Sequence, residues 1–126
     1  MDEDLKVLLE EHLAPLGPIQ VRRMFGGAGV FLDGLMFGLV SDGVLYLKVD
    51  DRNRPVFEAE GLGPFVYEKL GKPATLTSYR QAPERLLDEP DEMLAWARDA
   101  LAAARRGQRT AAAAARRRKV PSPRSR

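Results

Sequence analysis

The sequence predicts an α+β domain of two layers: one antiparallel five-stranded sheet with helices packed on it, in the order α-βββ-α-ββ-α. Three observations carry this. Asp33-Gly34 and Asp42-Gly43 each sit between runs rich in strand-forming residues, the strongest short-range hairpin signal a sequence offers. Apolar residues recur at helical spacing before and after those runs. The length of 126 residues, with 44% hydrophobic and 30% charged, is one soluble domain's worth. Such a domain buries about two-thirds of its unfolded surface and folds without disulfides or a structural metal.

Leu5, Leu8, Leu9 and Leu13 form the first helical stripe, with acids in the first turn where the helix dipole favours them. Pro15, Gly17 and Pro18 stop it, and His12 reads as a boundary residue with no role. Strands follow over 30–32, 35–40 and 44–49 as a three-stranded meander. Alternation puts Leu45, Leu47 and Val49 on one face and Val44, Tyr46 and Lys48 on the other. A short helix is expected over 50–61, capped by Asp50 or Asp51 and closed by Gly61, with Pro55 early enough to be tolerated. Strands over 65–70 and 75–80 join through Gly71-Lys72-Pro73. A turn holding Leu86-Leu87 leads to Pro90, which suits a first helical turn. Met93, Leu94, Ala97 and Leu101 continue that helix with Trp96 beside them, and Gly107 after Arg105-Arg106 is its expected stop.

Charge is segregated. Residues 1–104 hold all 18 acidic and 11 of the 20 basic residues, a net −7, while 105–126 hold nine basic residues and no acid. The chain therefore divides into a domain over 1–106 and a basic low-complexity tail over 107–126, expected to be disordered, above all at its proline-containing end. The alanine run after Thr110 leaves a helical extension open. In the tail Arg109, Arg116, Arg117, Arg118, Lys119, Arg124 and Arg126 are the candidate contacts to nucleic-acid phosphates. With no aromatic among them, that binding would be sequence-blind. The alternative is a merely solubilising extension, or one folded back on the acidic domain.

There is no cysteine, which removes thiolate metal sites and a cysteine nucleophile, and His12 is the single histidine. Ser41, Ser78 and Tyr79 therefore have no histidine dyad to join. Asp33 and Asp42 are turn residues, and Glu84, Asp88, Glu89, Asp91 and Glu92 surround helix starts. No enzyme, cofactor or metal is expected. The segment Arg22-Arg23-Met24-Phe25-Gly26-Gly27-Ala28-Gly29 is neither a P-loop nor a dinucleotide fingerprint. Its glycines fit a bulge or a close approach of two backbones. Flanked by arginines it also offers a docking surface for an acidic partner, with Arg22, Arg23, Gly26, Gly27 and Lys48 as candidate partner-binding residues. The start Met1-Asp2-Glu3-Asp4 is no secretory signal and residues 30–40 are too short to span a bilayer, so a cytoplasmic protein without membrane contact is expected.

The runs Arg23-Met24-Phe25-Gly26-Gly27-Ala28-Gly29-Val30-Phe31, Asp33-Gly34-Leu35-Met36-Phe37-Gly38-Leu39-Val40 and Leu45-Tyr46-Leu47-Lys48-Val49-Asp50 resemble the TfoX (Sxy) N-terminal domain. Phe57-Glu58-Ala59-Glu60-Gly61-Leu62, Pro64-Phe65-Val66-Tyr67, Ser78-Tyr79 and the Trp96 helix add to the likeness, which covers residues 5–106. The resemblance implies a non-enzymatic α+β domain with a secretion-chaperone-like shape. It also implies kinship with bacterial regulators of natural competence that act with the cyclic-AMP receptor protein. Together these readings describe a regulatory binding module, with a protein partner in the transcription machinery and non-specific DNA affinity from the tail. The alternative is a protein–protein adaptor, a homodimer through a sheet edge, whose tail only solubilises.

Overall fold

The computed structural model describes residues 3–24 and 26–119. The expected meander is present as β2 (Gly27–Leu32), β3 (Leu35–Ser41) and β4 (Val44–Lys48). Its turns hold Asp33 and Gly34 at φ 52° and 78°, and Asp42 and Gly43 at φ 51° and 75°. Two successive left-handed residues are what a two-residue turn needs to match the strands' twist, and Asp-Gly supplies them at low cost.

The sheet has six strands rather than five, so the order is α-ββββ-α-ββ-α. The additional strand is β1 (Ile19–Met24), paired antiparallel with β2 from Ile19↔Leu32 to Met24↔Gly27. Its adjacent arginines break the apolar alternation, and as an edge strand it has little apolar burial to advertise it. β5 (Pro64–Lys69) and β6 (Lys72–Gln81) complete the strand order β1-β2-β3-β4-β6-β5, all antiparallel. Their turn is Leu70-Gly71, at φ 54° and 78°, shorter than expected; Lys72 and Pro73 are strand residues opposite Lys69 and Glu68. Proline is accommodated there because β4 pairs with β6 only at residues 79–81, leaving one side of that stretch free.

The helices are α1 (Glu3–His12), α2 (Arg54–Ala59) and α3 (Pro90–Lys119). All three pack on one face of the sheet. Leu5 and Leu9 of α1, Phe57 of α2, and Met93, Ala97, Ala100 and Leu101 of α3 share a core with Val30, Leu32, Phe37, Val40, Leu45 and Leu47. Phe57 meets Trp96 of α3 edge-on, ring centroids 4.8 Å apart. Asn53, not Asp50 or Asp51, stands at the N-cap position of α2 and makes no side-chain capping bond there, while Asp50 Oδ1 accepts from the Arg52 N–H at 3.0 Å in the turn leading in.

α3 does not stop at Gly107, so the segment expected to be disordered is helical over 107–119. The helix runs 30 residues to Lys119, about 45 Å at 1.5 Å per residue. Glycine inside a helix costs about 1 kcal/mol, but the five alanines and the arginines that follow are strong helix formers. Thr110 Oγ1 also donates to the Arg106 carbonyl at 3.0 Å instead of capping a new helix. Arg124 and Arg126 lie outside the described residues.

Asp50 is occupied elsewhere. Its carboxylate takes a two-point contact from Arg106, Nε at 2.6 Å and Nη2 at 2.8 Å, fastening α3 to the β4–α2 junction. Buried Asn53 braces that junction, accepting from the Asp50 N–H at 2.8 Å and donating to the Lys48 carbonyl at 2.9 Å. The hydrogen bonds from Arg106, opposed by desolvation, bring the Asp50 carboxyl down from 3.8 to about 2. A lowered folded-state pKa stabilises the fold fully above 3.8, and that contribution is lost as pH falls through about 2. Asp50→Asn is therefore expected to cost about 1 kcal/mol at pH 7, solvent at the pair having weakened it. Urea unfolding of both proteins checks this: the gap should close as pH approaches 2, whereas a gap independent of pH would contradict the ion pair.

Candidate functional site

The strand side chains that alternate with the core residues face away from the helices. The register lines up Arg22, Gly29, Leu39, Tyr46 and Gln81 in one row across five strands. Beside it run Gln20, Phe31 and Met36, then the pair Lys48 and Tyr79. The β5–β6 hairpin bends over this outer face, and the Phe65 ring meets Tyr46 edge-on at 4.8 Å and stacks on Tyr67 at 5.7 Å.

Between hairpin and sheet lies a groove of about 570 Å³. Met24, Met36 and Leu39 line it from the sheet, and Phe65, Tyr67 and Leu76 from the hairpin; Ser41, Glu68 and Lys69 supply its polar side chains. A mostly apolar lining with a few polar groups, at this volume, is what binding clefts have. A second hollow, about 180 Å³, sits between the start of β4 and the 3-10 turn Glu84–Asp88.

The glycine-rich segment makes the close approach that its composition allows. A Cβ on Gly27 would run into the Val40 carbonyl oxygen of β3. One on Gly29 would lie 2.7 Å from Phe31 Cε1, 2.8 Å from Met24 Sδ and 2.9 Å from Met36 Sδ. Those three side chains close over the bare backbone of Gly29, so the groove owes its methionine lining to a missing side chain.

Of the candidate partner-binding residues, Arg22, Gly27 and Lys48 come to the outer face or its groove. Arg22 lies 4.8 Å above the Phe31 ring and bonds Gln20 Oε1 at 2.9 Å. Lys48 lies 5.2 Å from the Tyr79 ring centroid. Gly26, at φ 78°, forms the β1–β2 turn with open space around it. Arg23 pairs with Ala28, a core residue, and so alternates to the helix-side face. The tail candidates Arg109, Arg116, Arg117 and Arg118 are exposed on α3 beyond the clamp, and Lys119 ends that helix.

The sequence reading did not single out Met24, Met36, Leu39, Phe65, Tyr67 or Leu76 as a set. Phe65 and Tyr67 alternate visibly, but nothing local announces that their hairpin folds back over the sheet. Tyr79 enters the sequence reading as a residue without a histidine and as part of the family resemblance, with no structural role. It is buried, its hydroxyl donates to the Met36 carbonyl at 3.3 Å, and burial pushes its pKa up to about 12. It serves as a neutral donor joining β6 to β3. On the helix side Arg85 bridges Glu60 and Glu92, both at 2.7 Å, and holds both carboxyls below their ordinary range. Among the described residues no three His, Cys, Asp or Glu side chains are grouped to hold a metal, and no helix is long and apolar enough to cross a membrane.

The TfoX N-terminal domain model matches residues 11–104, from the end of α1 through all six strands into α3. The chain belongs to the TfoX N-terminal domain family. It is similar to Protein Sxy of Escherichia coli (strain K12), 35% identical over 71 residues, which is 56% of this chain and 34% of that protein. It is also similar to the DNA transformation protein TfoX1 of Aliivibrio fischeri, 33% identical over 90 residues, 71% of this chain and 43% of that protein. The chain thus spans less than half the length of either relative.

The two glycines of this TfoX N-terminal domain separate in their cost. Gly27→Ala forces β2 away from the β3 backbone and should destabilise by about 3 kcal/mol or more, beyond ordinary overpacking. Gly29→Ala meets only the ends of flexible side chains and should cost about 1–2 kcal/mol. Denaturant melts of the two variants decide this, and equal costs would contradict the packing described.

Proposed function

We propose that this chain is a regulatory binding module of DNA transformation. It works in the cytoplasm without catalysing a reaction, holds a protein partner from the transcription machinery on its domain, and touches DNA non-specifically through its basic segment. Family membership and a relative named as a DNA transformation protein support the setting. The observation that carries the DNA contact is the continuation of α3. From Arg105 to Lys119 the helix contains no carboxylate, and Arg105, Arg109 and Arg116 fall within about 40° of one another around its axis. That arrangement is a stripe of exposed cations suited to a row of phosphates. Arg106 is not part of it, being committed to Asp50. Phosphate contacts position a protein on the duplex but carry no sequence information, so this segment tethers and does not select.

The test is duplex-DNA binding by fluorescence anisotropy over a salt series. It compares the full chain with a variant carrying Gln at Arg105, Arg109 and Arg116. If all three contact phosphates, the slope of log affinity against log salt should become shallower by roughly 2.7 in the variant. Equal slopes would remove the DNA contact and favour the adaptor reading, in which a sheet edge binds protein and the segment only solubilises. The exposure of Val66, Tyr67 and Leu70 at the β5 edge is what supports that second reading.

A further inference from the structure

We propose that the outer-face groove receives an extended peptide segment of a partner protein, apolar at alternate positions and acidic at its flanks, seated as a further strand along β5. The inference rests on the domain's role as a binding module and is independent of the DNA contact.

β5 ends the strand order, so among the described residues its outer edge has no strand partner. An edge strand's unpaired N–H and C=O groups are a template for an added strand. The other edge, β1, is guarded by adjacent Arg22 and Arg23, one directed to each face. β5 instead borders the groove, contributing Phe65, Tyr67 and Lys69 at the two-residue period of a strand, with Glu68 between the last two. Its hairpin also leaves apolar surface uncovered: Val66 is 56% exposed, Tyr67 39% and Leu70 95%. Leu70 is held at φ 54°, unfavourable for a large side chain, so the tip is both strained and bare. The two-residue turn imposes that conformation, and a docked partner would cover the bare side chain.

Charge and chemistry narrow the occupant. Within residues 1–104, of net −7, the outer face and its groove carry Arg22, Lys48 and Lys69 against Glu68. An acid-flanked segment answers those cations. A second copy of β5 would bring one Glu and one Lys and leave the excess unanswered. Met24 and Met36, unbranched and polarizable, let the lining adapt to side chains of different shape.

The test uses the full chain labelled with 13C at the methionine methyls. The chain has four methionines, and Met93, fully buried in the core, is the internal control. Three ten-residue probes are titrated. One alternates leucine and threonine with two acids at each end, one has lysines at its ends instead, and one has the acids but two central prolines that cannot pair with an edge. The acid-flanked probe should shift the Met24 and Met36 signals saturably and leave Met93 still. The lysine-flanked and proline probes should bind at least tenfold more weakly. Leu39→Gln should weaken the acid-flanked probe at least tenfold, and so should Tyr67→Ser, which lies on the exposed hairpin and leaves the core intact. The proposal is overturned if no probe shifts the groove signals, if charge or prolines make no difference, or if the signals move with protein concentration alone, which would place a second copy there. Should the probes fail while duplex DNA still binds with a steep salt slope, the groove assignment falls and the DNA reading stands.

Discussion

The core between the sheet and its three helices, built on Phe37, Leu47, Phe57 and Met93, is contiguous and lies entirely on one side of the sheet. That placement governs the rest of the molecule. Antiparallel sheets commonly bury one face and leave the other to solvent, where polar side chains would ordinarily alternate with the core residues. Here the second face carries Phe31, Met36, Leu39, Tyr46 and Tyr79 instead, and among the described residues no helix packs on that side. The chain meets the cost of exposing them with its own hairpin, which folds over the face and leaves a groove rather than a sealed second core. Gly29 makes the arrangement feasible by giving the Phe31, Met24 and Met36 side chains room to converge.

Much of the fold was legible in local chemistry. Asp33-Gly34 and Asp42-Gly43 fixed two turns, Gly61 at φ 70° closed the second helix, and Pro90 opened the third. Alternation sorted β4 correctly, with Leu45, Leu47 and Val49 buried and Tyr46 and Lys48 turned outward. What escaped had specific causes. β1 was hidden because Arg22-Arg23 interrupts its period, although pairing with β2 stabilises it without an apolar pattern of its own. Gly107 read as a stop because a glycine after basic residues is a common helix ending, yet no αL turn follows it and the alanines beyond favour continuation. The outer groove could not be read at all, since it depends on how residues near position 65 meet those near 36 in space. Of the candidate partner residues, alternation alone would have separated Arg22 from Arg23 once β1 was recognised.

The two proposed surfaces are distinct in chemistry and place. The helix beyond Arg106 presents cations to any polyanion, and its direction is set by the Asp50 clamp at the domain's margin. The groove presents apolar side chains with a few cations beside them, which suits a protein segment and not a duplex. On the proposed reading, a module with both would bring a protein partner to DNA without reading sequence, leaving selection to that partner.

The account turns on the outer-face groove being open to solvent, and a soluble paramagnetic agent tests that most directly. In the methionine-labelled full chain, the agent should broaden the Met24 and Met36 methyl signals strongly and spare Met93, since the first two border the open groove and the third is sealed in the core. Equal protection of all three would contradict the account, because the outer face would then be closed and available to no partner.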